Sequence, residues 1–224
     1  QLVKLIKYDY ANSNLFGTDG DYIGSGTPDS TYKGSFISIN TYYWNYKATN
    51  SLSNVWNTSL LNKTNLNTNY LNNIAPTWSN LIEDTTWKVS GCSGSYATPS
   101  EMYNTEIKSA TKTYGPSDGT SKIGLMYASD YGFAASPSAW TLKMYDYNDS
   151  TATSNNWMYM GYTEWTISPS SSNSDNVFFL DFLGHLSTSN ANDGFGSRPV
   201  FYLKASVAYA GGSGTKDSPI TLTV

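Results

Sequence analysis

The chain has 224 residues, enough for one large domain or two small ones. Hydrophobic residues make up 39% of it and aromatic residues 15%, so material for a sizeable core is present. The net charge is −4 with only 13 lysines and arginines, which excludes the clustered basic surface of a nucleic-acid-binding protein. Cys92 is the only cysteine, so an internal disulfide and a cysteine-based metal site are excluded.

Low charge with abundant Asn, Ser, Thr and Tyr is typical of β-rich extracellular bacterial proteins. No apolar run approaches the roughly 18 residues that span a membrane, and no signal peptide is visible. Because the chain begins with Gln1 rather than Met, we expect a mature or excised fragment of an extracellular or cell-surface protein. We expect the segment that anchors the protein to the cell surface to lie outside this fragment. We expect the fragment itself to make no membrane contact.

The first half of the chain mixes strand and helix patterns. Alternating residues predict strands over residues 2–10 and 35–46, separated by a long polar loop over residues 12–33. From Ser53 onward, apolar residues recur at intervals of three and four, which predicts helices. Pro76 divides these helices, because proline cannot occupy a helix interior without breaking it.

The second half carries mostly short elements. In chain order we predict a short strand at 86–89, a helix from Ser100, a buried strand over 123–129, a structured loop over 130–140, strands at 157–162 and 165–168, and a last strand from Thr221. No repeat with a period of 20 to 50 residues is present. The simplest account is a single α+β domain over residues 1–224, with two or three helices beside short antiparallel strands.

A hairpin is predicted near residues 176–190. At a period of two, one side is wholly apolar and consists of Phe178, Leu180, Phe182 and Leu186. The other side is mixed and consists of Val177, Phe179, Asp181, Leu183 and His185. The turn is predicted at residues 181–184, because Gly184 adopts positive φ readily. A displayed mixture of this kind indicates binding rather than packing.

Several segments together resemble a domain of bacterial surface proteins, many of which are prepilin-like or anchored to the cell surface. They are SKIGLMYASDYGFA (121–134), EWTISP (164–169), NVF (176–178), GSRPVFYLK (196–204), LNTNYLNNI (66–74), TTWKV (85–89) and GGSGT (211–215). The resemblance is clearest over residues 53–224 and weaker over 1–50. It implies a C-type-lectin-like fold, in the version found in formylglycine-generating enzymes and in variable proteins of diversity-generating retroelements. The GSRPV segment would form a late core strand of that fold.

The resemblance also implies a binding surface over residues 170–195, because the variable proteins rewrite Asn codons in their C-terminal ligand-binding region. The residues that match products of such rewriting are Asp175, Phe179, Asp181, Phe182, Leu183, His185, Ser187, Ser189, Asn190, Asp193 and Phe195. The residues between them that the fold would keep fixed are Val177, Phe178, Leu180, Gly184, Leu186, Ala191 and Gly196. Aromatic residues near polar loops are candidates to join this surface, namely Trp140, Tyr145, Tyr147, Trp157 and Tyr159.

Departures from the related enzymes and lectins argue against catalysis. Formylglycine-generating enzymes need a cysteine pair or an equivalent metal site, and calcium-dependent lectins use Glu-Pro-Asn or Gln-Pro-Asp with Trp-Asn-Asp; none of these is present. His185 is the only histidine, and its spacing does not indicate a catalytic triad. We therefore predict no catalytic residue, no metal site and no cofactor.

Three residues are assigned structural roles: Arg198, Trp165 and Gly184. Arg198 is the only arginine, and we expect it to be partly buried against the carboxylate of Asp130 or Glu164.

The function predicted is non-catalytic, adhesin-like ligand binding at a cell surface, with a protein on a host, microbial or phage surface favoured over a sugar. The alternative is a pilus or cell-envelope subunit that uses the same face for assembly. An enzyme of the formylglycine-generating type is the third possibility.

Overall fold

The computed structural model describes residues 2–35, 38–46, 53–94, 97–108, 118–148, 150–215 and 217–224. Its strands are β1 (Lys4–Ile6), β2 (Tyr22–Gly26), β3 (Ile39–Tyr42), β4 (Thr85–Trp87), β5 (Gly119–Ser121), β6 (Ile123–Gly124), β7 (Glu164–Pro169), β8 (Asn176–Leu180), β9 (Leu186–Asn190), β10 (Val200–Tyr202), β11 (Ala208–Gly211) and β12 (Thr221–Thr223). Its α-helices are α1 (Ser13–Phe16), α2 (Leu71–Asn73), α3 (Pro76–Ser79), α4 (Pro99–Tyr103), α5 (Ala128–Ala134) and α6 (Ser150–Ser154). π-helical turns at Leu61–Tyr70 and Asn104–Lys108, and 3-10 turns at Trp56–Thr58, Pro137–Ala139 and Met144–Asp146, complete the list. The predicted α+β class is confirmed, although the described residues contain six short α-helices where two or three helices were predicted.

Two three-stranded antiparallel sheets organise the chain. In one, β10 lies between β1 and β6, so a strand near the start of the chain pairs with one near its end. In the other, β8 lies between β7 and β9. The remaining strands form the pairs β2–β3, β4–β5 and β11–β12. The GSRPV segment therefore leads into the central strand of its sheet, as expected for a core strand.

The core is rich in tryptophan, and the indole N–H groups of Trp165 and Trp44 have partners. Trp165 is fully buried and donates to the carbonyl of Tyr42 at 2.8 Å. Trp44 is also buried and donates to the carbonyl of Thr166 at 3.0 Å. Burying these large rings stabilises the fold without leaving a polar group unpaired. The structural role predicted for Trp165 agrees with this placement.

Helical segments form after Ser53 as predicted, but one of them is a π-helix, which is wider than an α-helix. Residues 61–70 make a π-helical stretch, and α3 begins at Pro76, which confirms that this proline separates two helical segments. Asparagine holds the stretch in place, since the buried Asn65 amide donates to the carbonyls of Phe16 and Asp19 at 2.9 and 3.0 Å. Tertiary bonds thus compensate for the weak helix propensity of asparagine.

Several predictions of local structure were wrong. The predicted loop over residues 12–33 contains α1 and β2, and β2 pairs with β3. Residues 157–162 do not form a strand. The predicted loop over 130–140 contains α5, whose first turn is capped by the Asp130 carboxylate, which accepts from the Tyr127 N–H at 2.9 Å. The predicted strands at 2–10 and 123–129 shorten to β1 and β6, and Phe36 and Ile37 of the 35–46 strand lie outside the described residues.

The other short elements are confirmed within a few residues. Strand β4 matches the prediction at 86–89, β7 matches that at 165–168, and β12 begins at Thr221 as predicted. The helix predicted from Ser100 begins at Pro99, with Thr98 and Glu101 forming a reciprocal capping box. Within the described ranges, no helix is both long and apolar enough to cross a membrane.

Candidate ligand-binding surface

The predicted hairpin is confirmed: β8 and β9 are antiparallel and joined by a turn over residues 181–185. Phe178, Leu180 and Leu186 are buried as expected. Phe182, predicted on the same apolar side, is instead 45% exposed, because the period of two ends where the turn begins after Leu180. Val177, predicted on the displayed side, is fully buried, because β8 is the central strand of its sheet and is covered on both faces.

The Asp181 side chain closes the turn. Its Oδ1 atom accepts from the backbone N–H groups of Leu183 and His185, each at 2.9 Å. The Asp181 N–H donates to the His185 carbonyl at 3.0 Å, and the Gly184 N–H donates to the Asp181 carbonyl at 3.1 Å. Asp181, which the sequence placed among the displayed residues, thus fixes the backbone that displays its neighbours.

Two tyrosines attach this turn to the rest of the domain. The Tyr131 hydroxyl donates to the Gly184 carbonyl at 2.9 Å, and the Tyr159 hydroxyl donates to the Phe182 carbonyl at 2.6 Å. Burial raises the pKa of Tyr131 well above its usual value, so the donor stays protonated. Tyr131 could not be predicted as part of the site, because nothing in the local sequence marks a contact that spans 53 residues.

Gly184 is required by the backbone of the turn. Its φ is +98°, as the sequence predicted, which residues with a Cβ atom rarely adopt. A Cβ atom here would also collide with the Thr153 methyl group and lie 2.9 Å from the Tyr131 hydroxyl oxygen. The structural role predicted for Gly184 agrees with this geometry.

The fixed turn presents apolar side chains to solvent. Phe182 and Leu183 are each 45% exposed. Beside them, the His185 ring stacks on Tyr145 with centroids 5.6 Å apart. Phe182 also lines a cavity of about 170 Å³ together with Asp29 and other residues of the 27–29 and 161–163 segments. These side chains form a surface that we call the turn surface, defined by Tyr145, Phe182, Leu183 and His185.

The remaining candidate residues lie away from the turn surface. Phe179 and Phe195 are partly buried in an aromatic cluster, with centroids 4.7 Å from each other and that of Phe195 4.4 Å from Trp165. Ser187 pairs with Phe179 in the β-ladder and is partly buried. Phe179 and Phe195 were predicted to be displayed to a ligand. Packing against Trp165 explains why both side chains are instead partly buried.

A second group closes the opposite end of the hairpin. The Ser189 hydroxyl bonds to the Asp193 carboxylate, and the Asp193 N–H donates to the carbonyl of the exposed Asn190 at 2.8 Å. The Ala191 N–H donates to the Asp175 carbonyl at 2.8 Å. Asn190 is five residues beyond His185 along β9, a span of about 16 Å at the usual rise per residue. The structure therefore divides the predicted binding residues between two ends of one hairpin.

The Arg198 ion pair is confirmed with Glu164 as its partner. The guanidinium Nε donates to the Glu164 carboxylate at 2.7 Å, and both side chains are only 2% exposed. The Tyr10 hydroxyl donates to the same carboxylate at 3.2 Å. The alternative partner, Asp130, instead pairs with Lys4. The buried pair agrees with the structural role predicted for Arg198, and its burial is more complete than predicted.

The aromatic candidates near polar loops have different environments. Tyr145 and Tyr159 contact the turn, as described above, whereas Tyr147 is fully buried and cannot contact a ligand directly. Trp140 is partly exposed and packs edge-on against Phe133. Trp157 is 69% exposed. In the part of the chain that the structure describes, no three His, Cys, Asp or Glu side chains are grouped so that they could hold a metal ion.

Comparisons with protein-family models, curated proteins and solved structures find no match for this chain.

Proposed function

We propose that the chain is a C-type-lectin-like, non-catalytic ligand-binding domain of a bacterial surface or secreted protein, with the turn surface as its principal contact. The observation that carries the proposal is the exposure of Phe182 and Leu183 on a backbone held by hydrogen bonds. Exposed apolar side chains cost hydrophobic free energy in the unbound domain, and a fixed backbone lowers the entropy lost on binding.

The sheet arrangement supports the fold part of the proposal. β10, which follows the GSRPV segment, is central in its sheet and pairs with β1. This agrees with the late core strand that the resemblance implies. The Glu164–Arg198 pair lies at the start of β7 and just before β10, and so links the two three-stranded sheets.

A protein ligand fits the turn surface better than a sugar does. The surface combines two exposed apolar side chains with one stacked pair of rings, His185 on Tyr145. Aromatic and aliphatic anchors surrounded by polar groups are the usual centre of protein–protein contacts. A protein on a host, microbial or phage surface is therefore the proposed partner.

Capture by immobilised protein tests this function. We expect beads that carry the wild-type chain to retain a defined protein from bacterial cells or host extracts, and the F182S/L183S double variant to lose it. The control is Tyr209→Ser, since Tyr209 is 66% exposed on the separate β11–β12 hairpin. Equal retention by all three proteins would refute the turn surface as the contact.

The same variants distinguish the alternative, a pilus or cell-envelope subunit. If Phe182 and Leu183 pack against a second copy, the wild type should associate with increasing concentration in analytical ultracentrifugation. The double variant should then remain monomeric. A wild type that stays monomeric while it retains a ligand supports the receptor-like function.

Diversification by a retroelement is the further part of this proposal. It predicts that substitutions within one bacterial population concentrate in codons for exposed residues of 170–195, such as Phe182, Leu183 and Asn190. Codons for Val177 and Gly184 should stay constant, because the first is buried in the central strand and the second needs positive φ. Deep sequencing of the gene measures this directly, and a region no more variable than the rest of the gene would exclude diversification.

A further inference from the structure

Trp157 stands where three surface cavities meet. Its side chain is 69% exposed and lines cavities of about 210, 340 and 300 Å³. The two larger volumes are at the lower end of the range of about 300–1,000 Å³ usual for small-molecule sites. Trp157 is thus a lining residue common to all three cavities.

Buried groups fix the backbone on both sides of Trp157. The Asn156 amide donates to the Tyr131 carbonyl at 2.9 Å, and its Oδ1 atom accepts from the Met158 N–H at 3.0 Å. The Met158 carbonyl accepts from the Arg198 guanidinium at 2.7 Å. Asn156 and Arg198 are each only 2% exposed. The ring is therefore presented by a rigid support, which is the arrangement that reduces the entropy lost on ligand binding.

Polar groups surround the exposed ring. The 340 Å³ cavity is lined by Asp130 and Ser129 beside the rings of Tyr103 and Phe133. Asp130 is paired with Lys4, so the wall carries hydrogen-bonding groups with little net charge. Aromatic rings and hydrogen-bonding groups therefore line this cavity together with Trp157.

The 300 Å³ cavity beside Trp157 is also polar. The 300 Å³ cavity is lined by Lys33, Asn155 and Asn156 together with the rings of Tyr8 and Tyr159. The Lys33 ammonium lies over the Tyr159 ring, 4.7 Å from its centroid. Both cavities therefore combine rings with amide, hydroxyl or charged groups.

We propose that Trp157 is the stacking platform of a second binding site, which takes a neutral oligosaccharide. A pyranose ring has C–H groups on its faces, and their partial positive charge is attracted to the negative face of an indole. Its hydroxyl groups point outward from the ring edge, where carboxylate, amide and ammonium groups can bond them. Because Trp157 borders three cavities, the ligand extends over more than one sugar unit.

The site is independent of the proposed turn surface. Phe182 and Leu183 line none of the three cavities around Trp157. Binding of an oligosaccharide therefore does not rest on the function proposed above, and either can fail without the other. An apolar peptide fits the site less well, because it would desolvate Asp130 and Lys33 without bonding them.

The test is a glycan array probed with the full chain, biotinylated and tetramerised on streptavidin to detect weak binding. The array carries plant, fungal, bacterial and animal oligosaccharides, and the best of them is then titrated calorimetrically. We expect W157A to bind at least about tenfold more weakly, the effect of losing one good contact. W157F should retain most of the affinity, since it keeps an aromatic face.

Trp78 provides the matched control. It is 57% exposed on α3 and lies outside the three cavities, so W78A should bind as the wild type does. F182S/L183S should also bind the oligosaccharide normally. Thermal unfolding of each variant checks that folding is unchanged. A wild-type chain that retains no glycan on the array, or a W157A variant that binds as tightly as the wild type, would overturn the proposal.

Discussion

The Oδ2 atom of Asp181 lies 2.6 Å from Nδ1 of His185, while Oδ1 of the same carboxylate accepts two backbone N–H groups of the turn. One side chain thus fixes the backbone and orients the imidazole ring that stacks on Tyr145. The display of Phe182 and Leu183 thus rests on this arrangement together with the hydrogen bonds from Tyr131 and Tyr159 to the turn.

Replacing Asp181 tests this dependence. We expect D181A to lower the free energy of unfolding by about 1–2 kcal/mol, because two backbone donors lose their acceptor. D181N should cost less, since an amide oxygen at the Oδ1 position keeps both backbone bonds and loses only the charge beside His185. Urea denaturation measures the difference. Equal losses for both variants would show that the charge, rather than the backbone bonds, stabilises the turn.

Gly184 should tolerate no side chain. We expect G184A to cost about 2 kcal/mol or more, since left-handed backbone alone costs about 1–2 kcal/mol and the new methyl group would collide with Thr153. Leu183→Ala, one residue away, is the control and should stay within about 0.5 kcal/mol, because Leu183 is exposed. Thermal unfolding compares the two. A G184A variant as stable as the wild type would contradict the described turn.

The buried ion pair gives the largest expected effect. R198M leaves the Glu164 carboxylate buried without its cation, and we expect a loss of about 3–5 kcal/mol. It also removes the donor to the Met158 carbonyl, so oligosaccharide binding at Trp157 should weaken as well. The double variant R198M/E164L should recover much of the stability, because no unpaired charge remains. Chemical denaturation of the single and double variants tests this; a double variant no more stable than R198M would argue against an unpaired charge as the cause.

Stability should fall as the pH rises toward neutrality. Burial raises the pKa of Glu106 and that of Asp21, each to about 7. In both cases the folded state keeps a proton that the unfolded state releases near pH 4, so the free energy of unfolding decreases from about pH 4 to pH 7 and then levels off. Each group contributes roughly 3–4 kcal/mol over that window.

The variant that isolates one of these carboxyls is E106Q. Its amide imitates the protonated acid, keeps an acceptor for the Ser129 N–H and can donate to the Ser168 hydroxyl oxygen. We expect its unfolding free energy to change about half as much between pH 5 and pH 8 as that of the wild type. An unchanged pH dependence would show that Glu106 ionises with an ordinary pKa.

The hairpin was predicted well from the local sequence, because the alternation of apolar residues and the glycine in the turn are both visible in neighbouring positions. Phe178, Leu180 and Leu186 are buried as the period of two requires, and Gly184 has positive φ. An ion pair of Arg198 was also accessible to sequence reasoning, since a buried lone arginine needs a carboxylate, but the sequence left the partner open between Asp130 and Glu164.

Contacts between distant segments were not accessible in the same way. The bond from Tyr131 to Gly184 and the pairing of β2 with β3 depend on tertiary packing, which no local period records. For the same reason, the sequence could not show that Phe179 packs on Trp165 while Phe182 is exposed. The division of the candidate binding residues between two ends of the hairpin became visible only with the strand register.

The most direct test of ligand binding at the turn surface is site-specific photo-crosslinking. A benzophenone amino acid replaces Phe182 in one protein and Tyr209 in another, both of which are exposed in the wild type. Each is irradiated with bacterial cells or host extract, and adducts are identified by mass spectrometry. We expect a covalent adduct with a defined partner protein from position 182 and none from position 209. Adducts of equal yield at both positions, or none at position 182, would contradict ligand binding at the turn surface.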